Sequence, residues 1–222
     1  MEINEFIVRE KSRGDCYKFL SACFYLPQKE LFAEENLLNN LTKSLEIVSP
    51  DAAVFSKQME NTFLSYSNDD LTVAFAKLFV GPFELKAPPY GSVYLDMGRR
   101  VMGDSTIDVL EVYKQAGLSM DEEFKEMPDH ITVELEFMYY LIFKEVEAVE
   151  KSEFDTALKF IETQELFLDK FFKRWITPFC DRIKNGTDNE FYKSLADCVS
   201  AFIESSHPGN LPDELKKITA QA

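Results

Sequence analysis

The pairing in this chain most able to do chemistry is an acid beside a histidine. Asp129-His130 stands at the start of a helical pattern. A carboxylate next to an imidazole can move a proton near neutral pH. The same two residues also have a purely structural reading: Asp129 as an N-cap, with His130 in the first turn. The chain holds one further histidine, His207.

Other candidate sites fail on geometry. Glu134 and Glu136 project about 200° apart on an ideal helix, at roughly 100° per residue, so they cannot converge as a metal pair. No Glu-x-x-His occurs, which leaves a ferritin-like di-iron site without support. The segment from Gly98 to Ser105 copies the glycine spacing of a phosphate-binding loop. However, Asp104 stands where the phosphate-contacting lysine belongs, and no strand precedes it. Arg99-Arg100 lies far inside the chain and is not an export signal. Cys16, Cys23, Cys180 and Cys198 form no Cys-x-x-Cys pair and no Cys-His ligand spacing. Cys16 and Cys23 share one helical face, as buried free thiols would.

Composition bounds the remaining function classes. The 222 residues carry 39 acidic and 24 basic side chains, a net charge of −15. Such a surface repels phosphate backbones and attracts cationic partners. No apolar run reaches the roughly 18 residues of a membrane span. The opening MEINEFIVREKSRG has no apolar core of a secretory signal.

These candidates must be held by helices. Tyr17, Leu20 and Phe24 mark a first helix ended by Pro27; Leu31, Leu38, Leu41, Leu45 and Val48 mark a second. Pro50 and Asp51 open a third. Asp69 or Asp70 caps a fourth, which ends near Phe79. Asp104 is expected to cap the next, which Gly117 closes. Ile131, Leu135, Met138, Ile142 and Val149 describe a central helix with a broad apolar face. A long helix follows from Phe154 to Ile183, with a kink expected at Pro178 and a cap at Gly186. Phe191, Leu195, Val199 and Phe202 form the last major helix, broken at His207-Pro208-Gly209. Apart from a possible extended piece at residues 92–95, no strand alternation occurs. The expectation is a single all-α domain spanning residues 1–222.

One segment is not helical, Leu78–Asp96, reading LFVGPFELKAPPYGSVYLD. Pro82, Pro88 and Pro89 resist helix, and Gly81 and Gly91 permit unusual backbone angles. Yet Phe79, Phe83, Leu85, Tyr90, Val93 and Tyr94 make it strongly apolar. Such a loop is either an internal strut or the lining of a groove for an apolar segment.

This loop, the helix start GDSTIDVLEVYKQAG and the segment MPDHITVELEFMYYL occur in that order. Together they resemble the TorD/DmsD family of redox-enzyme maturation chaperones, most densely over residues 75–141 and nearest its DmsD-like branch. The resemblance implies an all-helical cytoplasmic chaperone without catalytic chemistry, cofactor or metal. Its implied partners are the twin-arginine leader and catalytic subunit of a molybdopterin-containing reductase, with the export machinery as a further partner. Nucleic acid and integral membrane segments are not implied. Cofactor insertion would precede release for export. The implied leader groove comprises Leu78, Phe79, Gly81, Pro82, Phe83, Pro89, Tyr90, Asp129 and His130. Relatives often carry Trp where this chain has Phe83 or Tyr90, a departure that bears on leader preference. An aromatic, proline-stiffened groove suits the leader's apolar stretch, and carboxylates suit its arginines. Asp129 is the nearest candidate, ahead of Glu84 and Glu136. The competing class is a small enzyme or weak nucleotide hydrolase using Asp129 and His130.

Overall fold

Phe6, Tyr17 and Leu20 recur at helical spacing along helix α1 (Ile3–Ala22) and are buried, but so are Glu10 and Arg13 on the same stripe. In the computed structural model, which describes residues 2–82, 84–98, 100–119, 125–206 and 208–219, the fold grows outward from this helix. Phe83, Arg99 and His207 lie outside the described residues.

Helices α2 (Lys29–Glu34), α3 (Leu37–Val48), α4 (Pro50–Ser65) and α5 (Asn68–Phe75) follow, and α5 runs into a π turn at Ala76–Val80. After the proline-rich loop come the single turn α6 (Ser92–Leu95), then α7 (Asp104–Gln115) and the apolar α8 (Ile131–Glu150). Helix α9 (Phe154–Phe167) passes through a second π turn, Leu168–Phe172, into α10 (Lys173–Gly186). Helices α11 (Glu190–Ser205) and α12 (Leu211–Thr219) complete the described chain. The fold is all-α; the β-type pairing among the described residues is one isolated bridge, Tyr90 with His130.

The helices touch in a circuit. Helix α1 packs on α8 and α3, α3 on α4, α4 on α11, α11 on α10, and α9 back on α8. Gly14 permits the α1–α8 approach, since a Cβ there would lie 3.3 Å from Ile142 Cγ2. The large side chains Trp175, Phe172, Phe179, Tyr192 and Phe202 fill the interior. A buried ionic cluster ties α1, α8 and α9 together. Arg13 lies 2.6 Å from Glu10, 2.5 Å from the Gln164 amide oxygen and 3.5 Å from Glu145.

Several boundaries depart from the sequence expectation. The first helix begins at Ile3, far upstream of its apolar triplet. Asn36, at φ 48°, splits the expected second helix into α2 and α3. Ser67 caps α5 in a reciprocal box with Asp70. Asp104 does not cap α7; the carboxylate of Asp96 accepts the Ser105 N–H instead. The loss of α-type bonding in the long helix falls at the π turn, upstream of Pro178, and α10 continues through that proline. Gly186 ends α10 without entering the left-handed region. Its Cβ would instead lie 2.8 Å from Lys86 Cβ and 3.0 Å from Leu78 Cδ2, so the glycine admits the loop. Residues 92–95 form a helical turn, not an extended piece.

Candidate functional site

The proline-rich loop leaves α5 at Gly81, whose φ of 98° suits glycine. Just before it, Leu78 and Phe79 point inward. Phe79 meets Phe24, Phe75, Phe179 and Tyr192 at ring centroid distances of 5.3–6.0 Å. Both residues are core packing in this conformation. The Ala87 N–H donates to the Leu78 carbonyl at 3.0 Å, returning the loop to the body. Pro89 is buried, Gly81 and Tyr90 are half-buried, and Pro82 is exposed.

The loop then pairs with the start of α8. Gly91 N–H donates to the Asp129 carbonyl at 2.8 Å, and Ile131 N–H donates to the Pro89 carbonyl at 2.9 Å. The Tyr90 and His130 rings meet edge to face, 5.2 Å apart. The sequence places these residues forty positions apart; a two-bond bridge makes them neighbours.

Asp129 and His130 exchange their expected duties. His130 caps α8, its Nδ1 accepting the Thr132 N–H at 3.3 Å with the Thr132 hydroxyl 2.7 Å away. That bonding assigns the ring proton to Nε2. Burial lowers the His130 pKa, against the pull of Glu126 and Asp129, and keeps the ring neutral. Asp129 is 1% exposed, and its Oδ2 accepts the Ser92 N–H at 2.8 Å, capping the α6 turn. The pair thus fastens loop to helix, and Asp129 makes no surface contact in this conformation.

Glu134, one turn into α8, is fully buried under the loop. Its Oε2 accepts the Trp175 indole N–H at 2.9 Å. Tyr94 stacks on Trp175 at 5.6 Å, and the Arg182 guanidinium lies over the Tyr94 ring at 5.3 Å. The Tyr94 hydroxyl donates to the Pro88 carbonyl at 2.9 Å. Desolvation holds the Glu134 pKa well above the usual carboxyl range. Sequence spacing excludes Glu134 from a metal pair with Glu136 and does not show its contact with Trp175, which lies on another helix. Its signal, an acid spaced with Ile131, Leu135, Met138 and Ile142 on the apolar face of α8, is shared with Glu145.

The outer edge of this region carries accessible acids. Glu136 is exposed and accepts from the Ser21 hydroxyl at 3.0 Å and the Tyr25 hydroxyl at 2.8 Å. Glu126 is half-buried, and desolvation with the Glu126 charge pushes the Tyr90 hydroxyl up to about 12. Glu84 is exposed on the loop. No cluster of three or more potential metal ligands occurs among the described residues.

The family model described as nitrate reductase delta subunit matches residues 48–181, more than half of the chain, including the proline-rich loop, Asp129, His130, Glu134 and Trp175. The chain belongs to the TorD/DmsD family of redox-enzyme maturation chaperones. It is 24% identical to the chaperone protein TorD of Aliivibrio salmonicida over 209 residues, covering 91% of this chain and 96% of that protein. It is 33% identical to the Tat proofreading chaperone DmsD of Salmonella typhi over 85 residues, 38% of each chain. A solved structure described as a redox enzyme maturation protein from Archaeoglobus fulgidus shares the fold. It has a TM-score of 0.52 and 23% identity, over 86% of this chain and 91% of that one. No helix among the described residues is long and apolar enough to cross a membrane.

Proposed function

We propose that this chaperone binds the twin-arginine leader of a molybdopterin-containing reductase subunit in the cytoplasm. It does so as one helical unit, with no cofactor or catalytic step of its own. Binding holds the client from export until its cofactor is inserted. The observation that carries this reading is the Tyr90–His130 bridge. It fixes an aromatic, proline-stiffened loop edge beside the start of α8. A rigid apolar edge binds an apolar leader segment with little ordering cost. Glu126 and Glu136 border that edge and suit a guanidinium through charge-assisted hydrogen bonds.

The DmsD relative is by name a Tat proofreading chaperone, which supports a leader as the ligand. The burial and hydrogen bonding of Asp129 and His130 favour recognition scaffolding over proton transfer, and so favour this reading over a hydrolase. The test is calorimetric titration of the chain with a synthetic peptide carrying an Arg-Arg pair followed by a Leu/Ala-rich stretch. Saturable binding that weakens when the arginines become glutamines is expected. Equal binding of both peptides, or none, would refute the proposal.

A further inference from the structure

We infer that the groove between α2 and α4, built on Phe32 and Phe63, docks a basic amphipathic helix of a partner protein. This goes beyond the leader-binding reading and does not depend on it, since the groove shares no residue with the loop edge at Tyr90.

The apolar part of the groove is already formed. The rings of Phe32 on α2 and Phe63 on α4 stack at 4.8 Å, and Leu38 of α3 lines the groove beside them. It encloses about 510 Å³, within the roughly 300–1,000 Å³ of ligand pockets. Leu64, which lines it from α4, leaves 72% of its surface in water. A helix that lays leucine-type side chains at i, i+3, i+4 and i+7 into such a groove removes that area from water.

The charged part selects the sign of the partner. Glu30 on α2 and Glu60 on α4 line the groove and have no ion-pair partner among the described residues. Glu46 and Glu190, by contrast, are each held by a lysine. The cation that lines the groove, Lys29, is engaged elsewhere: its Nζ donates to the Tyr66 carbonyl at 2.7 Å and lies 5.6 Å from the Phe63 ring centroid. A carboxylate only accepts hydrogen bonds, so two of them beside an apolar floor suit donors that carry positive charge. The groove between α1 and α8 specifies no such partner, because Lys11 is paired with Glu150 and Lys151 with Glu147 along its rim. The net charge of −15 draws a cationic segment to the protein, and the apolar floor with its two free acids fixes where it docks.

The probe is a synthetic leucine/lysine helix with its leucines at i, i+3, i+4 and i+7, beside a peptide of the same composition whose leucines are spread around the helix. Each is titrated by calorimetry into the full chain. Saturable binding of the first is expected, about fivefold or more tighter than the second. Glu30→Gln combined with Glu60→Gln should weaken it about fivefold, as the loss of two exposed ion pairs does. Leu64→Ser should weaken it by a similar factor and, since Leu64 is exposed, should leave the melting temperature unchanged. Glu111→Gln combined with Glu162→Gln removes the same charge from exposed positions on α7 and α9 and should leave affinity unchanged. Tyr90→Ala should also leave it unchanged. Equal affinity for the two peptides, or no binding, would overturn the docking site. An equal loss in the groove and control variants would reduce the binding to undirected charge attraction and overturn it too. Unaltered affinity in both groove variants, with a loss in Tyr90→Ala, would move the peptide to the loop edge and contradict the inference while leaving the leader-binding reading in place.

Discussion

The indole N–H of Trp175 donates a 2.9 Å hydrogen bond to the Glu134 carboxyl, joining α10 to α8 directly beneath Gly91. Both partners are fully buried, so the bond satisfies a donor and an acceptor that water cannot reach. Trp175→Phe keeps most of the ring but strands Glu134. The expected cost is about 2–4 kcal/mol, from the lost bond, the orphaned carboxyl and the smaller ring. Urea unfolding followed by far-ultraviolet circular dichroism measures it.

Two buried carboxyls should make stability fall as pH rises. Desolvation raises Glu134 well above the ordinary range, with Asp129 adding to it and the Trp175 hydrogen bond opposing it. Glu145 is raised to about 8, by desolvation and then by Glu10, against Arg13 and Gln164. Each proton is bound more tightly folded than unfolded. The stabilisation is therefore full below the usual glutamate pKa of 4.5 and is lost as pH climbs, for Glu145 through about 8. His130 acts oppositely: its lowered pKa contributes stability above the usual 6.5, lost as pH falls. Glu145→Gln should flatten the decline between neutral and mildly alkaline pH, by on the order of 2 kcal/mol. Chemical unfolding of both proteins across that range tests it.

Phe79→Ala should damage the fold before it damages recognition. The ring is buried among Phe24, Phe75, Phe179 and Tyr192. Truncating such a side chain costs about 3–5 kcal/mol. A clear drop in melting temperature is expected. An unchanged melting temperature would show that Phe79 is not the strut described.

Gly186→Ala should destabilise although alanine is the better helix former. The new methyl would lie 2.8 Å from Lys86 Cβ and 3.0 Å from Leu78 Cδ2, so the loop must move away. A loss of about 1–3 kcal/mol is expected from such overpacking. Thermal unfolding should register it.

Helix periodicity made most of this architecture readable. Ile131, Leu135, Met138 and Ile142 are all buried on α8, and Gly117, at φ 85°, closes α7 as its position suggested. What escaped depends on contacts distant in sequence. The Asp96 carboxylate caps α7 from nine residues away, so the nearby Asp104 looked sufficient. The Ser92–Leu95 turn is too short to show a period, and Asp129 of another element caps it. The burial of Arg13 and its partner Glu10 leaves no local signature, because Glu145 and Gln164, which also meet Arg13, stand on other helices. At the candidate site, the loop and the Asp-His step were visible as residue types. Their exchange of capping roles, and Glu134 beneath them, required the fold.

The central claim is that the loop edge at Tyr90, seated on His130, binds an arginine-bearing leader. Tyr90 is half-buried, and its ring contacts His130 at 5.2 Å. The most direct measurement is calorimetric affinity of Tyr90→Ala for the Arg-Arg peptide, beside its circular dichroism melt. The account predicts a helical protein with a melting temperature close to that of the unaltered chain, binding about 30-fold more weakly, as an aromatic anchor of about 2 kcal/mol requires. Unaltered affinity in a well-folded Tyr90→Ala protein would contradict it.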